Sequence, residues 1–310
     1  MTLIFGTNDG VYRASALPFD DATKVLDAGR VLRVRTFDKM DGVFAASKTG
    51  LYRSTDAGRS WTKLDVPHTE VYSVLVGPDG QRLYAGTHPA HLFVSEDGGG
   101  SWRELAGFQD LPSREEWFTP RHRDEAHIRS LGAHSEKPDR MVAGVEVGGV
   151  HVSDDRGETW SERRDGVNDD VHHVLVCGPA EYIASCGGGL YRTQDAGRSW
   201  VRLDDGLDHR YFRESFVHGG RLFTAAARGP PPTWSGDSGA DGALFMSDDD
   251  GETFVSPDYP GRPHEVVLAW TALDGSVLAG TNDGHVLIEA DDGWTSIGRI
   301  QPGIRSLCAV

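Results

Sequence analysis

The chain has 310 residues, of which 47 are acidic and 31 basic, so its formal net charge is −16. An acidic surface repels phosphate backbones and anionic lipid, and we therefore expect neither nucleic acid nor a membrane among its partners. The start of the chain does not read as a secretory signal peptide, and the three cysteines form no evident disulfide framework. These features predict a cytoplasmic protein, and we expect a monomer.

Short strands separated by turns recur along the whole chain. One strand of each unit begins at a regularly spaced position, namely Gly10, Gly50, His91, Gly149, Gly189, Ala243 and Gly284. The intervals between these positions are 40, 41, 58, 40, 54 and 41 residues. A period near 40 is typical of a four-stranded propeller blade. The sequence therefore predicts an all-β fold with seven antiparallel blades, forming a single domain over residues 1–310.

One repeat shows all four strands, which we name A to D from the axis outward. They are predicted at Val71–Val76, Arg82–Thr87, His91–Ser95 and Ser101–Leu105. The chain begins with a strand B at Leu3–Thr7 and ends in Ile304–Val310, which has the pattern of a strand A. We expect this last strand to complete the first blade and close the ring, which removes exposed sheet edges. The alternative is a frayed C-terminus.

A short motif, Ser/Thr-x-Asp-x-Gly-x-Ser/Thr followed by an aromatic residue, accompanies the repeat. It occurs five times, at Ser54–Trp61, Ser95–Trp102, Ser153–Trp160, Thr193–Trp200 and Ser247–Phe254. An Asp that bonds its own following backbone and a Gly with positive φ together form a turn. Each copy is therefore predicted to be the tip between strands C and D, and its Asp to be structural. A shortened sixth copy lies at Asp291–Trp294.

These motifs resemble the Asp-box (BNR) repeat of sialidases, sortilin and the photosystem II assembly-factor propellers. The resemblance covers nearly the whole chain and implies a β-propeller. Because such folds host many unrelated functions, it does not imply one activity.

Two long intervals predict insertions on one face of the ring. Residues 107–125 would join strand D to the next strand A, and residues 228–241 would join strands B and C. Both kinds of loop lie on the same face, which we call the loop face. Long loops on a rigid scaffold commonly carry binding residues. Trp117 and Trp234, one in each insertion, are candidate ligand-binding residues, although either could simply pack its loop against the ring.

The predicted strands A carry many charges, although an unpaired charge is costly in an apolar core. Alternate side chains of these strands should line a polar axial channel. Five arginines are candidate ligand-binding residues there: Arg33, Arg35, Arg129, Arg213 and Arg305. Guanidinium groups match carboxylate and phosphate in two-point geometry. The alternative is that these arginines form structural salt bridges with acids such as Glu146, Glu214 and Glu265.

These residues are compatible with three different functions. The first is binding of an anionic small molecule or a protein partner at the axial mouth of the loop face. The second is a sialidase-like glycoside hydrolase on an acidic sugar, with Glu146 or Glu214 as acid/base and Tyr211 or Tyr72 as nucleophile. Two features of sialidases, an Arg-Ile-Pro element near the start and a six-bladed ring, are not found in this sequence.

The third function is a metal-assisted lyase with a divalent metal at the channel mouth. The candidate ligands are His127, His172, His173 and His264, with Glu146 beside them, because imidazole suits transition metals. No tight spacing motif joins these histidines, and so the sequence does not decide between a metal site and ordinary polar loops.

Overall fold

The computed structural model describes residues 2–119, 123–290 and 293–310. It contains seven antiparallel sheets, six with four strands and one with three. Strands A of neighbouring blades contact one another around the axis. The all-β, seven-bladed propeller predicted from the repeat is therefore confirmed. We number the blades from the one that contains the N-terminus.

The strands follow the predicted order from axis to rim in every blade. In blades 1 to 7, strand A is Ile304–Ala309, Val31–Phe37, Glu70–Val76, His127–His134, Val171–Val176, Tyr211–His218 and Val267–Leu273. Strand B is Leu3–Thr7, Met40–Ser47, Leu83–His88, Lys137–Glu146, Tyr182–Cys186, Arg221–Ala227 and Ser276–Thr281. Strand C is Gly10–Ala14, Gly50–Ser54, Leu92–Ser95, Gly149–Ser153, Gly189–Thr193, Ala243–Ser247 and His285–Ala290.

The outermost strands are the shortest and the least regular. In blades 1 to 5 and 7, strand D is Thr23–Leu26, Thr62–Leu64, Arg103–Glu104, Ser161–Glu162, Val201–Arg202 and Gly293–Arg299. Blade 6 has a three-stranded sheet, and a single bridge between Met246 and Val255 stands where its strand D would be. In this blade the fourth strand is thus reduced to a single bridge.

The last strand closes the ring as predicted. Ile304–Ala309 pairs antiparallel with Leu3–Thr7, with Phe5 opposite Leu307. Because the two chain ends share one sheet, this blade is held together by main-chain hydrogen bonds between residues about 300 positions apart in sequence. The prediction of a closed ring is confirmed, and the alternative of a frayed end is wrong.

The Asp boxes form the predicted self-bonded turns. In the box of blade 4, the Ser153 hydroxyl donates to Asp155 Oδ1 over 2.8 Å, and the same oxygen accepts the Thr159 N–H over 2.9 Å. Asp155 Oδ2 accepts the Thr159 hydroxyl over 2.6 Å. The same contacts recur in the other four full boxes. Part of the shortened sixth copy, residues 291–292, lies outside the described residues.

A one-residue bulge recurs near the start of strand A in every blade. Each time, the pairing register with strand B slips. The additional residues are Leu32, Tyr72, Arg129, His172, Arg213, Leu268 and Arg305. Because a bulge re-aims side chains, strict alternation along strand A does not hold. Six of the seven line the axial cavities described below.

In three blades, a serine that follows the bulge bonds to the neighbouring blade. The Ser73 hydroxyl donates to the Ile128 carbonyl over 2.7 Å, which links blades 3 and 4. The Ser130 hydroxyl accepts the Val174 N–H over 3.1 Å, and the Ser306 hydroxyl accepts the Val34 N–H over 2.9 Å. These serines are buried. The same register slip therefore places one side chain near the axis and the next against the adjacent blade.

Two long loops interrupt the repeat, one between strand D of blade 3 and strand A of blade 4, and one between strands B and C of blade 6. The first contains two short 3₁₀ helices, Ala106–Phe108 and Arg114–Glu116, and residues 120–122 of it lie outside the described residues. The second contains one, Pro231–Thr233. Within the described part of the chain, no helix is long and apolar enough to cross a membrane.

Replacing the boxed carboxylate should destabilise the fold. We expect Asp155→Ala to lower the free energy of unfolding by about 1–2 kcal/mol, because the Thr159 N–H and two hydroxyls lose their acceptor. Denaturant unfolding measures this change. The matched control is Asp154→Ala, which removes only an exposed ion pair with Arg140 and should cost less than about 1 kcal/mol. Equal losses in the two variants would contradict a structural role for the box.

Candidate functional site

A cavity of about 470 Å³ lies at the axis on the loop face, and we call it the mouth cavity. Its wall combines bulged residues of strand A with loops from both insertions. Tyr72, Arg129, Arg213 and Arg305 line it from the strands, and Thr119 and Pro230–Pro232 line it from the insertions. The bulges and the insertions therefore converge on one site.

Three arginines from different blades meet in this cavity. Arg129 contacts Glu146, whereas Arg213 donates to the Tyr211 hydroxyl over 3.2 Å and Arg305 donates to the Asn8 side chain over 2.7 Å. Among the described residues, neither Arg213 nor Arg305 forms an ion pair with a carboxylate. Within the described part of the chain, these two guanidinium groups thus carry positive charge that no carboxylate pairs directly.

Burial and mutual repulsion perturb these guanidinium groups. Burial lowers the pKa of Arg305 to about 9, and nearby Arg30, Arg213 and Arg129 contribute. Burial, together with Arg129, also lowers the pKa of Arg213. Arginine normally stays protonated far above neutral pH, and even a pKa near 9 leaves Arg305 charged at pH 7. A bound anion would relieve this repulsion.

A second layer of charged residues lies below the mouth cavity, and we call it the floor. Arg35 forms a 2.7 Å ion pair with Glu214, which joins strands A of blades 2 and 6 across the axis. Arg33 donates to the His172 carbonyl over 3.4 Å, and only about 20 Å³ of free space remains beside it. Burial lowers the pKa of Arg33 to about 10. Arg33, Arg35 and Glu214 therefore close the channel.

Glu146 lies at the edge of the mouth cavity in the turn between strands B and C of blade 4. Its carboxylate contacts Arg129, and the His127 Nε2 lies 3.1 Å away. Burial alone would raise the pKa of Glu146, but Arg129 and His127 outweigh burial and hold the pKa well below its ordinary value. Glu146 is therefore ionised at neutral pH.

The turn that carries Glu146 is strained. Val145 pairs with Gly149, which leaves three residues in the turn where the turns after Thr7 and Ser47 have two. Val147 adopts φ of 55°, a left-handed conformation that is unfavourable for a β-branched residue. Strain of this kind costs on the order of 1–3 kcal/mol and commonly accompanies functional sites. Here it presents Glu146 and Val147 to the mouth cavity.

His172 lies behind the cavity wall, fully buried against the Tyr211 ring at 4.6 Å between ring centres. Its Nδ1 lies 2.5 Å from the Phe212 carbonyl, and its Nε2 lies 3.4 Å from Asp170 Oδ1. Burial lowers the pKa of His172, and Arg213 adds to this effect. Donor atoms of Glu146, Asp170 and His172 all lie within 4.8 Å of one another.

The remaining candidate histidines lie elsewhere. His173 is buried between blades, with its Nδ1 accepting the Ser215 N–H over 3.4 Å and its Nε2 3.8 Å from Glu214. Burial lowers the pKa of His173 to about 3. The His264 Nδ1 lies 2.5 Å from the Trp234 carbonyl beside the second insertion. The structure thus brings His127 and His172 near Glu146 and keeps His173 and His264 apart from them.

The two tryptophans anchor the insertions. Trp117 is buried against Phe108 and His151, and its indole N–H donates to the Ser113 hydroxyl over 2.9 Å. Trp234 is buried against Tyr211, and its indole N–H donates to the Gly229 carbonyl over 2.8 Å. Neither ring lines the mouth cavity.

Other parts of the insertions reach the cavity instead. Thr119 lies beside Glu146, whose carbonyl accepts its hydroxyl over 2.9 Å, and the proline run forms a stiff wall. Sequence reasoning missed the lining residues Arg30 and Asp170, which lie in loops between strands D and A. The one sequence signal for these two residues was that their loops were predicted to lie on the loop face.

The propeller geometry agrees with a comparison of the sequence against family models. The model of the BNR/Asp-box repeat matches residues 151–162, which include the box of blade 4. The chain thus contains Asp-box repeats of the kind that this model describes, on a β-propeller fold. The four other boxes make the same turn contacts.

Relatives of this propeller have different functions. The photosystem II assembly lipoprotein Ycf48 of Synechococcus sp. (strain CC9902) is 22% identical over 280 residues, which cover 87% of this chain and 77% of that protein. A structure of YCF48 bound to D1 peptide has 17% identity and a TM-score of 0.56, covering 86% of this chain and 81% of that one. The GH74 xyloglucanase from Xanthomonas campestris has 16% identity and a TM-score of 0.70.

The match to the xyloglucanase covers 98% of this chain but 51% of that one, so this propeller spans about half of the enzyme. At these identities, the structural likenesses show a shared fold.

Acid should destabilise the anchor of the first insertion. Burial lowers the pKa of His151 to about 4 from an ordinary value of 6.5, so between these values the unfolded chain binds a proton that the folded chain does not. Stability should therefore fall as pH falls through this range, by at most about 1.4 kcal/mol per pH unit for this residue. We expect His151→Phe to flatten the pH dependence of the free energy of unfolding, measured with denaturant.

The control for this prediction is His134→Phe, at a half-buried position on another part of blade 4. In this variant the loss of stability with falling pH should remain, because His151 is still present. An unchanged slope in His151→Phe would contradict the assignment.

Proposed function

We propose that this propeller binds an anionic ligand in the mouth cavity, with Arg129, Arg213 and Arg305 as the recognising groups. The observation that carries the proposal is that Arg213 and Arg305 have no carboxylate partner among the described residues, although both line one cavity. Buried positive charges that repel one another destabilise a protein unless an anion neutralises them. The cationic mouth contrasts with the net charge of −16.

The ligand is best described as a carboxylate or phosphate group on a small carrier. A guanidinium offers two parallel N–H donors, which fit either group. The cavity of about 470 Å³ falls within the range of roughly 300–1,000 Å³ that is usual for small-ligand sites. Because the floor closes the channel below, only the end of a longer molecule could enter.

Of the two possible sources of such a group, we favour a protein segment over a free metabolite. The relative described as YCF48 was solved bound to a peptide, which supports this choice. Exposed Phe118, 48% accessible at the rim beside Thr119, supplies an apolar contact that an extended peptide could use. A terminal carboxylate would then enter the arginine cluster.

The test is a thermal-shift titration with a peptide that ends in a free carboxylate, the same peptide as an amide, and inorganic phosphate. A ligand that binds only the folded state stabilises it by about 2.7 kcal/mol at a hundredfold excess over Kd. We expect Arg213→Ala to abolish the stabilisation. Without ligand, at low ionic strength, this variant should be at least as stable as the unchanged protein, because one repelling charge is gone.

The matched control is Arg198→Ala, an exposed arginine in an Asp box on the opposite face. It should keep the full ligand response. Stabilisation by the acid peptide but not by its amide would support a protein segment as the ligand, and stabilisation by phosphate alone would point to a small molecule. No response to any of the three would contradict the proposal.

A second candidate function is glycoside hydrolysis, favoured by one observation. Glu146 and Asp170 have carboxylate oxygens within 4.8 Å of each other and both line the mouth cavity. Paired carboxylates are the usual machinery of glycosidases. The lowered pKa of Glu146 suits a base or nucleophile rather than a general acid, so Asp170 would have to supply the proton.

Hydrolysis assays on acidic oligosaccharides and on xyloglucan oligosaccharides test this candidate. It predicts activity that Asp170→Asn and Glu146→Gln both abolish. Activity that survives both substitutions, or no activity on either substrate class, would count against it.

A further inference from the structure

The orientation of His172 carries an inference beyond anion binding. Its Nδ1 lies 2.5 Å from the Phe212 carbonyl oxygen. Because a carbonyl oxygen can only accept, the Nδ1 must carry the proton of this hydrogen bond. In the neutral imidazole the Nε2 therefore presents a lone pair.

That lone pair faces another acceptor. The Nε2 lies 3.4 Å from Asp170 Oδ1, and among the described residues it has no hydrogen-bond partner. His172 is fully buried. Two acceptors that face each other repel unless a cation lies between them. A proton on the Nε2 or a metal ion could be that cation.

Glu146 completes the group. Its backbone is bridged to that of Asp170, which sets the two carboxylates side by side at the end of adjacent blades. The donor atoms of Glu146, Asp170 and His172 lie within 4.8 Å of one another. Ligand bonds of about 2.0–2.2 Å place donor atoms roughly 3–4 Å apart around an ion, so a shift of under about 2 Å would close the site.

We propose that Glu146, Asp170 and His172 bind a divalent transition-metal ion at the edge of the mouth cavity. One imidazole with two carboxylates suits Zn²⁺ or Mn²⁺ better than Ca²⁺ or Mg²⁺, which prefer oxygen ligands alone. The hydrogen bond from Nδ1 to a backbone carbonyl is the arrangement that typically orients a metal-binding histidine. Three protein ligands leave positions open toward the cavity.

The surrounding charges add a specific expectation. Arg129 contacts the Glu146 carboxylate, and Arg213 lies close enough to lower the pKa of His172. Both guanidinium groups weaken binding of a cation alone, and an anion in the cavity would offset them. Metal affinity should therefore rise when phosphate is present. This expectation rests on the proposed anion site, whereas binding of the metal alone does not.

The chain offers a natural control in a second group of the same composition. Glu265, Asp283 and His285 also have donor atoms within 4.8 Å of one another. Here the His285 Nδ1 is already paired with Glu265 over 2.7 Å, and Asp283 pairs with Arg299 over 3.0 Å. Both groups contain a carboxylate that is already paired, but they differ at the histidine: the His285 Nδ1 is paired with a carboxylate, whereas the His172 Nε2 has no hydrogen-bond partner among the described residues.

The experiment is titration of chelator-treated protein with Mn²⁺, followed by electron paramagnetic resonance, and with Zn²⁺, followed by calorimetry. We expect one ion per chain, and at least a tenfold loss of affinity in both His172→Gln and Asp170→Asn. The control His285→Gln should bind as the unchanged protein does. Circular dichroism checks that each variant is folded.

No binding at millimolar metal, or unchanged binding in both ligand variants, would overturn the proposed metal site. Loss of binding in His285→Gln but not in His172→Gln would overturn it in favour of the second group. The anion proposal is tested separately, because phosphate or peptide should still stabilise His172→Gln when a chelator is present.

Discussion

A single local irregularity, the bulge near the start of every strand A, determines what this propeller presents at its axis. In each blade the pairing between strands A and B slips by one residue. In six blades the additional residue lines an axial cavity, and in three blades the next residue is a serine that bonds to the neighbouring blade. Because the slip recurs in all seven blades, the ring gains seven equivalent positions whose identity can vary without changing the fold.

This chain fills those positions unevenly. Three are arginine, and the others are tyrosine, histidine and two leucines. The charge is therefore concentrated on one part of the axis, above the ion pair of Arg35 and Glu214 that closes the channel. Both insertions border the same part, held by Trp117 and Trp234. The loop face thus combines the arginine cluster, the closed end of the channel and the cavity walls formed by the two insertions. The Asp boxes lie on the other face, where they form turns.

The fold was largely predictable from the sequence, because its signals are local. The Asp-box turns follow from Asp and Gly at fixed offsets, and the start of strand C was predicted within one residue in each blade. The site was only partly predictable. The expectation that side chains alternate strictly along strand A grouped Arg33 and Arg35 with the other arginines. In the structure, the bulge places both residues in the floor instead. Asp170 gave no signal, since one acid in a short polar loop becomes informative only beside His172. Trp117 was ambiguous because burial is decided by tertiary packing.

The central claim is that arginines from three blades form an anion site at the axis, and that two of them, Arg213 and Arg305, have no carboxylate partner among the described residues. Crystals of the protein soaked in bromide or selenate, with anomalous diffraction recorded, test it most directly. The account predicts an anomalous peak in the mouth cavity within hydrogen-bonding distance of at least two of Arg129, Arg213 and Arg305. It would be contradicted by an empty cavity in which Arg213 and Arg305 have turned to pair with Glu146 or Asp170.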